Sequence, residues 1–195
     1  MAKSKIGIIG NGNVGGALAR GLKRAGHDVR AVDDDKAAVR DAVTWAEIVF
    51  LAVPFGAVDN VVKTAGEALG SKTVVDVTNA LDEDMSLAIG FTTSGAEELQ
   101  KKLPKARVVK AFQTVFAQHM DTGKLGDQRL TTFVAGDDAG AKSSVLALAR
   151  DIGFDAIDAG PLRNARLLEP LGYFNIQLGY ALGMGTQIGL KLQHP

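Results

Sequence analysis

The amino-acid sequence predicts a doubly wound α/β protein, with a mostly parallel sheet and a small C-terminal helical segment. Three observations predict it. Lys5-Ile6-Gly7-Ile8-Ile9 runs directly into Gly10-Asn11-Gly12-Asn13-Val14-Gly15; apolar strand-like runs then alternate with helical patterns; and after Ala159 the chain turns to helix formers. The first is a G-x-G-x-x-G loop between a buried strand and a helix, with Asp33 eighteen residues beyond Gly15. Gly10 permits the tight turn, Gly12 lets a pyrophosphate approach the backbone, and Gly15 lets helix pack on strand. The phosphates would rest over free N–H groups at the positive end of that helix. Residues 1–155 are therefore expected to form a Rossmann-type dinucleotide-binding domain. Residues 156–195 are expected to form a helical substrate or dimerisation segment.

The remaining elements follow in order. Val14, Leu18 and Leu22 recur at helical spacing, and Ala25-Gly26 closes that helix. Val29 to Val32 reads as the second strand and ends at Asp33. Asp34 to Thr44 is short for a helix plus a strand, so the usual third crossover is expected to be abbreviated. Ile48 to Val53 is a continuous apolar run, as a strand buried on both faces requires, and Pro54 ends it. Val58, Val61, Val62, Ala65 and Leu69 mark a helix face, and Thr73 to Val77 another strand. Arg107 to Ala111 and Thr131 to Ala135 are strand candidates, with a helix over 139–152. The segment 161–192 carries apolar spacing but also Gly172, Gly179, Gly183, Gly185 and Gly189. Each glycine costs a helix interior about 1 kcal/mol relative to Ala. Close approach of a neighbouring helix or a flat ligand would explain them, as would breaks between short helices.

Composition narrows the function. Lys+Arg and Asp+Glu stand at 22 each in 195 residues, so no field steers the chain toward nucleic acid or an anionic membrane. There is no cysteine, which removes thiolate catalysis and thiolate metal sites. Three scattered histidines (His27, His119 and His194) make no metal site. The start leaves no room for a signal peptide, and no run of apolar residues is long enough to span a bilayer. The expectation is a cytoplasmic protein that acts on small molecules.

Ligands of open α/β sheets bind beyond the carboxyl ends of the strands. That edge should carry Asn11 and Asn13, Asp33 and Asp34, Val53-Pro54-Phe55, Thr78-Asn79 and Phe112-Gln113-Thr114. The set is neutral and apolar, which suits hydride transfer better than hydrolysis. Asp33 at the end of the second strand can accept from ribose hydroxyls, favouring NAD(H). A 2′-phosphate beside Asp33 and Asp34 would be repelled by about 2–4 kcal/mol at an effective dielectric of about 20. Strand alternation points Arg30 elsewhere. Asp33-Asp34-Asp35 also fits a helix cap, a role read for Asp35. His119 is either a surface histidine or a proton donor, and Gln113 is the other candidate at the reacting centre. Lys110 fits a ligand contact or a structural ion pair, Trp45 core packing, His27 a structural or exposed turn position, and Glu169 a cap or ion-pair partner.

These motifs carry a resemblance. Gly7-Ile8-Ile9-Gly10-Asn11-Gly12-Asn13-Val14-Gly15, Leu51-Ala52-Val53-Pro54, Asp76-Val77-Thr78-Asn79, Val109-Lys110-Ala111-Phe112-Gln113-Thr114-Val115-Phe116-Ala117 and Asp158-Ala159-Gly160-Pro161-Leu162 occur in the order found in coenzyme F-420-dependent NADP oxidoreductases. The dinucleotide domain is also similar to those of the STEAP metalloreductases and of pyrroline-5-carboxylate reductase. The resemblance implies direct hydride transfer between a nicotinamide and a stacked flavin-like ring, such as deazaflavin coenzyme F-420, FMN or FAD. It implies a homodimer through the C-terminal helices. Val53, Pro54, Thr78 and Asn79 would line the dinucleotide; Phe112, Gln113, Thr114, Gly160, Pro161 and Leu162 would lie near the nicotinamide and the second ring. Two positions depart from the pattern. Members that use NADP(H) carry a Ser/Thr-Arg pair where this chain has Asp33-Asp34, and Gln113 stands where Asn is common. A short imine reductase and a dinucleotide-binding redox sensor without turnover are the competing readings.

Overall fold

The computed structural model describes residues 3–193. Strand β1 (Lys5–Ile9) feeds α1 (Asn13–Arg24), and β2 (Asp28–Val32) feeds α2 (Lys36–Trp45). β3 (Ile48–Leu51), α3 (Val58–Leu69), β4 (Thr73–Asp76), α4 (Gly95–Lys102) and β5 (Arg107–Lys110) continue the alternation. A small hairpin, β6 (Lys124–Leu125) and β7 (Gln128–Arg129), precedes β8 (Thr131–Gly136), α5 (Ala139–Ile152) and β9 (Asp155–Asp158). The chain closes with α6 (Ala165–Ile176) and a wider turn over Gln177–Ala181.

The main sheet has the order β2-β1-β3-β4-β5-β8-β9. The first five strands are parallel, whereas β8 runs antiparallel to β5 and β9 parallel to β8. The strand order reverses at β1, with β2 on one side and β3 on the other, which opens a crevice at their carboxyl ends. As expected, α2 leads straight into β3, beside β1, with no further strand between. β9 crosses the boundary expected at residue 155 and belongs to the sheet.

β3 shows why the sheet is covered on both faces. Ile48 and Phe50 join the core under α1 and α5, while Val49 and Leu51 join the core under α2, α3 and α4. Burying each such side chain contributes about 1.5–3 kcal/mol. Helix starts are chemically marked: Asp35 accepts from the Ala38 amide (2.8 Å), Asp138 from Ala141 (2.7 Å), and Ser94 from Glu97 (3.2 Å). Trp45 is half-buried and packs on the edge of the core under α2, α3 and α4, covered by the Arg30 guanidinium 4.1 Å above its ring. His27 is buried and structural, its Nε2 3.1 Å from Asp151.

The C-terminal segment holds less helix than its spacing predicts. Helical structure ends at Ala181, and the chain returns to the sheet, where the Thr131 amide donates to Leu190 (2.9 Å). Breaks after the helix explain some of its glycines, and close approach of a loop, not of a helix or a flat ligand, explains another. Gly183 and Gly185 have positive φ after the helix has ended, whereas Gly172 lies against the backbone of Gln113. Pro170 sits inside α6 and leaves the Arg166 carbonyl without an intrahelical donor; the Phe91 amide reaches it instead at 3.4 Å. His194 lies outside the described residues.

Candidate functional site

The glycine loop is fixed by sterics. Gly10 has φ +96°, and a Cβ there would strike the Ala52 carbonyl; one on Gly15 would strike the Gly10 carbonyl. Gly12 differs, because nothing lies within 4 Å of the position its Cβ would take. It is also the N-cap of α1, with no side-chain cap, in contrast to α2, α4 and α5. The first amides of α1 therefore have no capping side chain among the described residues, and Lys23 and Arg24 complement the other end of the helix dipole. Asn11 and Asn13 are exposed beside the opening, while the Val14 side chain packs into the core and leaves only its amide to the loop.

On one side of the loop lies a cavity of about 440 Å³ lined mainly by Val39, Val53, Pro54, Ala57 and Val61, with Asp33 and Asp34 at its rim. One Asp33 oxygen accepts from the Asn11 amide at 3.0 Å, which ties the end of β2 to the glycine loop. The other oxygen has no partner among the described residues. On the other side, toward α1, Asn11, Asn13, Arg20, Phe116 and Tyr180 border a wider cavity of about 760 Å³. An apolar slot, an acidic rim and an uncapped helix start fit the adenosine, ribose and diphosphate parts of a dinucleotide in that order.

Beyond β4 and β5 the expected residues divide. Thr78 is buried, its amide and hydroxyl both donating to Asp76 (2.9 and 2.8 Å), so the side chain serves the loop. Phe55 opens a short turn and lies against the start of α4. Phe112 corrects the expectation for its ring. With φ +71° it turns the side chain into the core, between Phe50 and Phe154 at 5.9 and 5.7 Å. Gln113 and Thr114 stay at the ligand edge. The Gln113 side-chain amide, the Thr114 hydroxyl and Asn79 Oδ1 are buried with no hydrogen-bond partner among the described residues. Such groups are rare in native interiors and mark places where a ligand is missing or the protein stores strain.

Gly160, Pro161 and Leu162 also require correction. Because β8 and β9 run against β5, the chain leaving β9 heads away from the ligand edge. The Gly160 carbonyl accepts from Gly136, itself level with Val109, and the Leu162 amide donates to Asp137. α6 then climbs back, and Gly172 and Asn175 occupy the place beside Gln113 and Thr114. His119 is neither a surface residue nor free. It is buried, with Nε2 3.2 Å from the Thr186 carbonyl.

Sequence reasoning offered an ion pair for Lys110 and a cap or ion-pair role for Glu169 but did not join them into one constellation. Lys110 is fully buried, and its Nζ donates to Asp76 (3.0 Å), the Thr78 carbonyl (2.6 Å) and Glu169 (3.0 Å). Glu169 also accepts from the Gly95 and Ala96 amides at the start of α4 (2.8 and 3.2 Å), so it is both cap and ion-pair partner. Burial alone would depress the Lys110 ammonium, but the charges and hydrogen bonds of Asp76 and Glu169 outweigh it and hold its pKa above the ordinary value. The signal was present in part: Asp76 and Lys110 end neighbouring strands in register.

Fold and site together define a Rossmann-type α/β protein with a cleft shaped for a dinucleotide. The sequence model of the family described as NADP oxidoreductase, coenzyme F420-dependent, matches residues 5–80. A solved structure from Arthrobacter sp. FB24, provisionally named an F420-dependent NADP-reductase, is 30% identical and superposes with a TM-score of 0.89 over 98% of this chain and 100% of its own. The chain belongs to this family. It is also 29% identical to the metalloreductase STEAP3 of Rattus norvegicus over 180 residues, 86% of this chain and 36% of that protein. It thus spans little more than a third of the curated relatives it matches. The NADP-bound pyrroline carboxylate reductase of Plasmodium falciparum shares the fold alone (TM-score 0.60, 14% identity, 91% of this chain and 66% of that one). Among the described residues no helix is long and apolar enough to cross a membrane.

Proposed function

We propose that the protein transfers hydride between NAD(H) and a planar, flavin-like acceptor such as deazaflavin coenzyme F-420, FMN or FAD, as a cytoplasmic enzyme. The observation that carries the nucleotide preference is Asp33, anchored through one oxygen to the glycine loop and free at the other, on the rim of an apolar slot. In this reading the amides of residues 12–15 hold the diphosphate and Asp33 accepts from the ribose, with Asp34 adding negative charge beside it. Val53 and Pro54 line the adenosine slot. Asn79 and Gln113 meet the nicotinamide, and Thr114 faces the second ring. The bound nicotinamide would supply the hydride. The chain's own residues bind, orient and exclude water, and the neutral side chains at the centre suit a step that needs no titrating group.

Calorimetric titration with NADH and NADPH tests the nucleotide assignment. NADH should bind more tightly, and tighter NADPH binding would overturn it. Oxidation of NADH in the presence of deazaflavin, FMN or FAD tests the acceptor class.

Family likeness also supports a homodimer built on the C-terminal segment. Leu167, Phe174, Tyr180, Leu182 and Met184 are large apolar side chains left exposed there. Light scattering should give twice the chain mass for the wild type and the single-chain mass for Phe174→Asp.

A further inference from the structure

A saturated charge network lies directly beneath an unsatisfied neutral one. Every Lys110 donor has an acceptor: Asp76 at the end of β4, the Thr78 carbonyl just beyond, and Glu169 from α6. Glu169 in turn takes two amides from α4, so four elements meet on one ammonium. One residue past Thr78 stands Asn79, and three past Lys110 stands Gln113, whose side-chain atoms are buried without partners. One turn past Glu169, α6 brings Gly172 so close that a Cβ would lie 2.7 Å from the Gln113 carbonyl and 2.8 Å from Asn79 Oδ1. Asn175, a turn later, donates to the Thr114 carbonyl at 3.2 Å. The Glu169 carboxylate thus fastens α6 to α4 and to Lys110 one turn before α6 meets the ligand edge.

Buried ion pairs add little net stability compared with apolar replacements, and fixing registry is their best-attested use. We infer that Lys110 and Glu169 are positioning residues, which hold α6, Asn79 and Gln113 in the arrangement that receives the nicotinamide end of the dinucleotide. The inference rests on the dinucleotide reading above. It assigns these two residues no contact with the adenosine end, because the Asp33 slot is built from β1, β2, β3, α2 and α3.

Two probes separate the ends: whichever of NADH and NADPH binds more tightly, and ADP-ribose, which lacks the nicotinamide. Glu169→Gln keeps the side chain's shape and an acceptor oxygen but removes the charge. Gly172→Ala leaves the charges alone and lifts α6 instead. Each variant should weaken the whole dinucleotide about tenfold while leaving ADP-ribose within about twofold. A merely structural role would weaken both probes together, and that result overturns the inference, as does unchanged binding of both. If Glu169→Gln fails to fold, Gly172→Ala carries the same comparison. A wild type that binds neither probe overturns the inference and the dinucleotide reading together. Wild-type binding lost in Gly12→Val but retained in Glu169→Gln and Gly172→Ala overturns the inference alone.

Discussion

Two glycines three positions apart in a helix-starting loop, Gly12 and Gly15, permit opposite experiments. A valine at Gly12 would project into open space, so Gly12→Val should melt within a degree or two of wild type yet lose measurable NADH binding in calorimetry. An alanine at Gly15 would overlap the Gly10 carbonyl, so Gly15→Ala should lose stability as well, by about 1–3 kcal/mol or more in urea titration. Asp33 and Asp34 test specificity rather than occupancy. Asp33→Ser with Asp34→Arg removes the repulsion of a 2′-phosphate and supplies a cation, and the ratio of NADH to NADPH affinity should swing toward NADPH by tenfold or so. An unchanged ratio would remove both carboxylates from the ribose.

At the scale of elements, α6 is fastened to α4 through side chains of different character. Besides the buried Glu169, Arg166 grips Glu97 with Nε and Nη2 at 2.9 and 2.7 Å. That hydrogen bonding, opposed by partial burial and helped by Ser94, holds the Glu97 carboxyl below its ordinary value of 4.5. The sign follows directly. A carboxyl with a depressed folded pKa stabilises the native state above its unfolded value and loses that contribution as pH falls through the folded one. Glu97→Gln should therefore lower the melting temperature at pH 7, and the gap from wild type should close as acid is added below pH 4.5. A gap that persists in strong acid would assign the effect to packing.

The molecule as a whole shows which features local sequence encodes. The glycine loop, the cap at Asp35 and the doubly buried β3 are legible because each is decided within a few residues. The direction of β8 is not, since a strand buried on both faces reads the same whichever way it runs. That one reversal moved Gly160, Pro161 and Leu162 from the site and put α6 there. Phe112 stood at the right edge, yet its positive φ sent the ring inward, and no neighbour announces such a turn. Lys110 and Glu169 were legible singly as ion-pair candidates but not as one network, because Asp76 lies 34 residues back in the chain and Glu169 on a helix from the far end. Pro170 carries a consequence of its own. By withholding one hydrogen it surrenders a rung of α6 and lends the spare carbonyl to Phe91, stitching the excursion between β4 and α4 onto the last helix. Alanine in its place would mend the rung and cut the stitch, yielding a sturdier helix beside a loop that proteases clip sooner.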